Sequence, residues 1–121
     1  RLMFDLLRLV IYFLPLCIKT VEWDGDSLVI SGDNWSFITS SAWRISQGKE
    51  LLFACWDDQV DTRTEGLVGL SIVDMSWVTS GQPIDPSFIL SDGRRLDVFC
   101  SSFSEPWVMN LPDNSVYVGN S

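Results

Sequence analysis

Short apolar runs that alternate with polar residues follow one another from Pro15 to the end of the chain. Glycine, aspartate, asparagine and proline interrupt these runs every few residues, which is typical of strands joined by tight turns. The Gly32-Asp33-Asn34 and Asp92-Gly93 stretches suit the backbone angles that such turns require. The pattern predicts roughly eight to ten short antiparallel strands.

The strand pattern in the first half of this region is similar to that in the second half. The positions of like character are Val21 and Trp23 with Met75 and Trp77, Leu28 and Ile30 with Phe88 and Leu90, Trp35 and Phe37 with Leu96 and Val98, and Trp43 and Ile45 with Trp107 and Met109. We therefore predict a mainly β (α+β) fold, with an N-terminal helix and two similar antiparallel β-meander halves sharing one core. Residues 1–121 form a single domain in this prediction, with repeat one at 17–56, an acidic connector at 57–66 and repeat two at 67–119.

The segment before Pro15 has a helical pattern. Arg1, Asp5, Arg8 and Tyr12 fall on one side, and apolar residues fill the rest of the surface. Pro15 ends the pattern, because the residue before a proline avoids helical backbone angles. We predict a packed helix over residues 2–14. A cleaved targeting peptide and a helix lying on a membrane surface are the alternatives that the pattern leaves open.

Composition excludes several classes of function. The chain has 16 acidic residues, 8 basic residues and no histidine. This charge disfavours nucleic-acid binding, which depends on lysine and arginine, and it favours association with a basic protein. The lack of histidine removes the usual general base and the commonest metal ligand. The three cysteines form no CxxC pair, and we expect them to be buried and reduced in a cytoplasmic protein: Cys17, Cys55 and Cys100.

Residues 55–66, with the sequence CWDDQVDTRTEG, contain a dense acidic cluster: Asp57, Asp58, Asp61 and Glu65. A calcium-binding loop needs oxygen ligands at alternate positions and a glycine at the sixth, but the sixth residue from Asp57 is Thr62. The sequence places no two carboxylates across a cleft, and it contains neither a G-x-S-x-G nucleophile nor a phosphate-binding loop. We therefore expect no catalytic residue, no metal ligand and no cofactor.

Three stretches in this acidic, β-rich chain carry a resemblance to a known class: SSAWRI, LSDGRRLDVF and EPWVM. Together they resemble small acidic bacterial immunity proteins, the antidotes of polymorphic or contact-dependent toxin systems, over about residues 17–117. The resemblance implies a non-enzymatic cytoplasmic protein that binds its cognate toxin and covers or distorts the active site. It carries over no functional residue, because the surfaces of such proteins vary with the toxin.

Trp56 is the strongest candidate for an interface residue, because it borders the acidic connector and has no counterpart in the second half. We predict a partner-binding site for a basic toxin surface that consists of Trp56, Asp57, Asp58, Asp61 and Glu65. A solvated loop without function is the alternative for the acids. For the whole chain, the alternative is a small-ligand-binding or accessory β-domain with an aromatic pocket.

Overall fold

A computed structural model describes residues 3–101 and 105–119 of the chain. Within these residues it contains two helices and eleven strands. Their bounds are α1 Met3–Phe13, β1 Leu16–Cys17, β2 Thr20–Trp23, β3 Leu28–Ser31, β4 Ser36–Thr39, β5 Ala42–Gln47, β6 Glu50–Ala54, α2 Val60–Glu65, β7 Ser71–Trp77, β8 Pro86–Leu90, β9 Arg95–Phe99, β10 Trp107–Asn110 and β11 Val116–Val118.

The strands form two antiparallel sheets that pack face to face. The six-stranded sheet has the order β1-β7-β8-β9-β5-β6, and the five-stranded sheet has the order β11-β10-β4-β3-β2. Phe37 of β4 meets Phe88 of β8 edge to face, with ring centroids 4.9 Å apart. Buried apolar side chains from both sheets form one cluster between them. The predicted fold class, mainly β with an N-terminal helix, is confirmed.

The two halves of the chain do not form separate meanders. The first half places β2, β3 and β4 in the five-stranded sheet and β5 and β6 in the six-stranded sheet. The second half does the reverse, since β7, β8 and β9 lie in the six-stranded sheet and β10 and β11 in the five-stranded sheet. Each half therefore completes the sheet of the other. In both halves, three strands in one sheet are followed by two strands in the other sheet. This shared order does not establish that the sequence is duplicated, and the internal repeat stays a prediction.

The N-terminal helix packs against the sandwich as predicted. Leu6 and Val10 are fully buried in the core, and α1 contacts β7. The helix runs Met3–Phe13, so Leu14 lies beyond it, and residue 2 of the predicted span lies outside the described residues. Neither helix in the described part of the chain is long and apolar enough to cross a bilayer.

Two elements differ from the sequence-based expectation. The two-residue strand β1 pairs with β7, and the acidic connector contains the helix α2. Val60 and Thr64 lie one helical turn apart on the inner face of α2, and both are buried. Leu67, just after the helix, is buried as well. The prediction of a single helix was therefore wrong, because a six-residue helix gives only one apolar turn in the sequence.

The matched tryptophans of the two halves occupy comparable places in the core. Trp43 meets Trp23 edge to face at 5.4 Å, and Trp107 lies 6.3 Å from Trp77. Trp43 and Trp107 are both fully buried, but their indole N–H groups differ in hydrogen bonding. Trp107 donates to the carbonyl of Ile84 at 3.2 Å, whereas Trp43 Nε1 has no hydrogen-bond partner among the described residues.

This difference predicts that replacement by phenylalanine lowers the free energy of unfolding by different amounts at Trp43 and at Trp107. Trp43→Phe removes a buried donor without losing a hydrogen bond, whereas Trp107→Phe also loses the bond to Ile84. We expect Trp107→Phe to reduce the free energy of unfolding by about 1–2 kcal/mol more than Trp43→Phe does. Urea denaturation of the two variants measures this difference. Equal losses would show that Trp43 Nε1 is satisfied in solution.

The cysteines are free, but the expectation that all three are buried was wrong. Cys17 is exposed at the short edge strand β1, and Cys55 and Cys100 are half-buried. Burial raises the pKa of the Cys100 thiol to about 12, and the neighbouring Asp85 carboxylate adds to the effect. The Cys100 Sγ also donates to the carbonyl of Ile84 at 3.0 Å.

Alkylation of the native protein should follow these environments. The thiolate is the reactive form, and its fraction falls tenfold for each unit by which the pKa rises. At about pH 8 we expect iodoacetamide to modify Cys17 first and Cys100 at least about a hundredfold more slowly. The rate at Cys100 should increase as the pH approaches 12. Peptide mass analysis over time measures each site, and equal rates at Cys17 and Cys100 would contradict the structure.

Candidate functional site

The acidic connector begins where β6 ends, at one open edge of the six-stranded sheet. The chain turns after Ala54, and the Asp57 N–H donates to the Ala54 carbonyl at 3.0 Å. This turn places Trp56 on the surface, where 70% of the residue is exposed. Among the described residues, few large apolar side chains are as exposed as that of Trp56, and no other tryptophan is exposed.

Asp57 has a structural role at this edge. The Cys55 N–H donates to the Trp43 carbonyl on β5 at 3.1 Å. Because successive N–H groups of a strand point in opposite directions, the Ala54 N–H faces away from β5. Asp57 Oδ2 accepts that N–H at 2.8 Å. The side chain thus satisfies a donor that an edge strand would otherwise present to another chain.

Arg63 also contacts the free edge of β6. Its Nη1 donates to the carbonyl of Leu52 at 3.1 Å, two residues before Ala54. Its guanidinium carbon lies 5.7 Å from the centre of the Phe53 ring. Arg63 is the one basic residue of the connector, and these contacts hold it against β6.

The connector also reaches the edge of the other sheet. Helix α2 lies against β2, which is the edge strand of the five-stranded sheet. The β2–β3 hairpin and the turn between β6 and the connector border one open cleft with a volume of about 400 Å³. The hairpin contributes Trp23, Gly25 and Asp26, the turn contributes Cys55 and Trp56, and residues 40–42 form the remaining wall.

The elements that border this cleft carry two acidic segments that are distant in the sequence. In the hairpin, Asp26 lines the cleft, Glu22 and Asp24 precede it in the chain, and all three are exposed. Asp24 Oδ1 accepts the N–H groups of Ser27 at 2.7 Å and of Asp26 at 2.8 Å, which lowers the pKa of Asp24 below its usual value. Its negative charge is therefore retained to a lower pH than that of an ordinary aspartate.

The acids of the connector and the hairpin have no cationic partner in the described residues. The ion pairs found there are Arg44 with Asp97 and Arg94 with Asp92, both outside these segments. The acids concerned are Glu22, Asp24, Asp26, Asp57, Asp58, Asp61 and Glu65. Across residues 3–101 and 105–119, no three His, Cys, Asp or Glu side chains are grouped so that they could hold a metal ion.

The structure thus divides the predicted partner-binding residues by role. Trp56 lines the cleft, Asp57 caps β6, and Asp58, Asp61 and Glu65 are exposed on or beside α2. Asp61 Oδ1 also accepts the N–H of the next residue at 2.9 Å. The binding of a partner by these residues stays a prediction.

The sequence reasoning missed the contribution of the β2–β3 hairpin. Trp23 and Asp26 line the cleft, but the predicted partner-binding site did not include them. A sequence signal exists, because Trp23-Asp24 and Trp56-Asp57 are both tryptophan–aspartate pairs at strand ends. Nothing local in the sequence shows that the two pairs meet.

Comparison of the chain with protein-family models, curated proteins and solved structures finds no match. The resemblance to immunity proteins therefore rests on the three sequence stretches alone. A function has to be inferred from the chemistry of the cleft and its acidic border.

The capping role of Asp57 can be separated from its charge. We expect Asp57→Ala to lower the free energy of unfolding by about 1 kcal/mol, because it leaves the Ala54 N–H without its acceptor. Asp57→Asn keeps a side-chain oxygen and should recover part of the loss. Asp58→Ala is the matched control, since it removes an exposed acid for which no hydrogen bond is found among the described residues. Urea denaturation gives the comparison, and equal effects at the two positions would rule out the cap.

Proposed function

We propose that this chain is a non-enzymatic binding protein, an immunity protein that neutralises a cognate bacterial toxin in the cytoplasm. The partner is a basic protein surface, and it binds at the acidic end of the sandwich around Trp56. The observation that carries the proposal is an exposed tryptophan bordered by acids from two segments, none of which has a cationic partner in the described residues.

The tryptophan supports a protein-binding role because of what binding would bury. Large aromatic residues are the commonest energetic anchors of protein interfaces, and they act at the centre of a polar rim. Trp56 is 70% exposed, and acidic residues come directly after it in the connector. A partner that covers Trp56 would remove this apolar surface from water and place its own basic residues against the acids.

The charges support a basic partner and a fast encounter. A cluster of one sign of charge raises the association rate of an oppositely charged protein by about 10 to 1,000-fold at low ionic strength. A toxin surface that has evolved to hold phosphate groups is basic. The carboxylates of this chain can bind such a surface in place of the phosphates. The absence of histidine from the chain agrees with a role in binding rather than in acid–base catalysis.

Co-expression tests the proposal directly. The proposal predicts that a neighbouring gene encodes a toxin domain, and the readout is growth of cells that produce this toxin domain with or without the chain. Restored growth, together with a complex of the two purified proteins, is the expected result. A toxin domain that stays fully active and forms no complex would overturn the proposed function.

Charge reversal tests whether the acidic connector takes part. We expect Asp58→Lys with Asp61→Lys to slow association with the toxin domain about tenfold at low ionic strength, and less in high salt. Stopped-flow fluorescence measures the association rate, and thermal unfolding checks that the variant is as stable as the parent protein.

The matched control reverses the same number of charges away from the cleft. Asp33 lies in the turn between β3 and β4, and Glu50 is the first residue of β6, so both are at the ends of their strands that are remote from the cleft. Asp33→Lys with Glu50→Lys should leave the association rate nearly unchanged. If both double variants slow association equally, only the net charge matters and the connector is not the interface.

A further inference from the structure

We propose that the cleft between Trp23 and Trp56 binds an arginine side chain of a basic protein partner. The inference rests on the proposed function and names the group that the acidic end recognises. The guanidinium would lie against an indole ring, with the Asp26 carboxylate beside it. The cleft of about 400 Å³ is open to solvent, so a side chain projecting from another protein can enter it.

The two tryptophans are held differently, and the difference suits a binding cleft. Trp23 is half-buried at the end of β2, paired with Leu28 across the hairpin. Its ring meets the buried Trp43 ring at an angle of 85°, which fixes one wall of the cleft. Trp56 is mostly exposed, so its ring can adjust over a side chain that enters. One rigid wall and one adjustable wall can enclose a flat group.

The charge of the cleft favours a cationic occupant. Asp26 lines it, and Asp24, two residues earlier, is fixed in the hairpin turn by the N–H groups of Asp26 and Ser27. Arg63, the basic residue of the connector, is engaged by Leu52 and Phe53 at the β6 edge. No cation of the described residues forms an ion pair with Asp24 or Asp26, so both carboxylates are available to a cation from another molecule.

Arginine fits this combination of an aromatic wall and a carboxylate better than lysine does. Its guanidinium is planar and weakly hydrated, so it can stack on an indole ring while its edge donates to a carboxylate. The same chain contains such an arrangement elsewhere. Arg44 lies 4.9 Å from the centre of the Phe99 ring, and its Nε donates to Asp97 Oδ2 at 3.2 Å.

A peptide titration of the whole chain tests the inference without the toxin. The probe is a blocked tripeptide with a central arginine, added to ¹⁵N-labelled protein. We expect the indole N–H signals of Trp23 and Trp56 to shift with a saturable dependence on peptide concentration, while that of the buried Trp107, which does not line the cleft, stays unchanged. Signals are assigned from single Trp→Phe variants.

Two matched peptides establish the chemistry of recognition. The peptide with citrulline has nearly the same shape without the charge, and the peptide with lysine has the charge without the planar group. The citrulline peptide should give no saturable shift, and the lysine peptide should bind several-fold more weakly. Equal binding of citrulline and arginine peptides would overturn the role of charge, and equal binding of lysine and arginine peptides would overturn the assignment to arginine.

Variants locate the binding within the cleft. Trp56→Ala and Asp26→Asn should each weaken arginine-peptide binding about tenfold, which is the effect of losing one cation–π or charged contact. Val116→Ala is the control, because Val116 is an exposed apolar residue on β11, at the far edge of the five-stranded sheet. Unchanged binding in Trp56→Ala would overturn the proposal.

The outcome is separable from that of the proposed function. If the toxin domain is neutralised but the arginine peptide does not bind, the cleft inference fails and the immunity role remains. If the arginine peptide binds as described but the toxin domain is not neutralised, the immunity role fails and the cleft still binds arginine.

Discussion

Hydrogen bonds between strands from different halves of the chain hold each sheet together. In the six-stranded sheet, β5 pairs with β9 from Ala42↔Phe99 to Ser46↔Arg95. In the five-stranded sheet, β4 pairs with β10 from Thr39↔Trp107 to Ser36↔Asn110. Without these two strand pairings, each half would present open strand edges and could cover only part of its own apolar surface. The common core between the sheets therefore depends on both pairings.

The acidic connector stabilises the edge of the sandwich and, in the function we propose, also contributes to recognition. Asp57 and Arg63 satisfy backbone groups on the free edge of β6, while Val60 and Thr64 bury the inner face of α2. These contacts fix the segment in place. Its remaining acids then face solvent from a rigid support, and in the proposed function this rigidity would reduce the entropy lost on binding. The position of Trp56 is set by the same turn.

Much of the strand pattern could be predicted from the sequence, because alternation of polar and apolar residues is a local signal. The predicted strands and the packed α1 helix agree with the structure. Helix α2 was missed because Val60 and Thr64 give a single helical turn, and β1 because two residues show no alternation. The local context also misled for Cys17, whose apolar neighbours in the sequence are buried while it is exposed.

The order of strands in the sheets and the composition of the cleft could not be predicted, since both depend on pairings between distant residues. Trp23 ends a strand of one sheet and Trp56 lies just beyond a strand of the other, and no periodicity in the sequence relates them. Only the folded arrangement, in which α2 lies against β2, brings Trp23 and Trp56 to one cleft.

The pairing of β4 with β10 has a consequence for the synthesis of the protein on the ribosome. Thr39 pairs with Trp107, so β4 has no partner on that side until β10 in the second half of the chain has been translated. Until then, the growing chain carries β4 with one edge unpaired and Phe37 without its neighbour Trp107. Contacts of such long range slow folding, and they leave incomplete chains prone to aggregation. The five-stranded sheet can therefore close only once β10 has emerged.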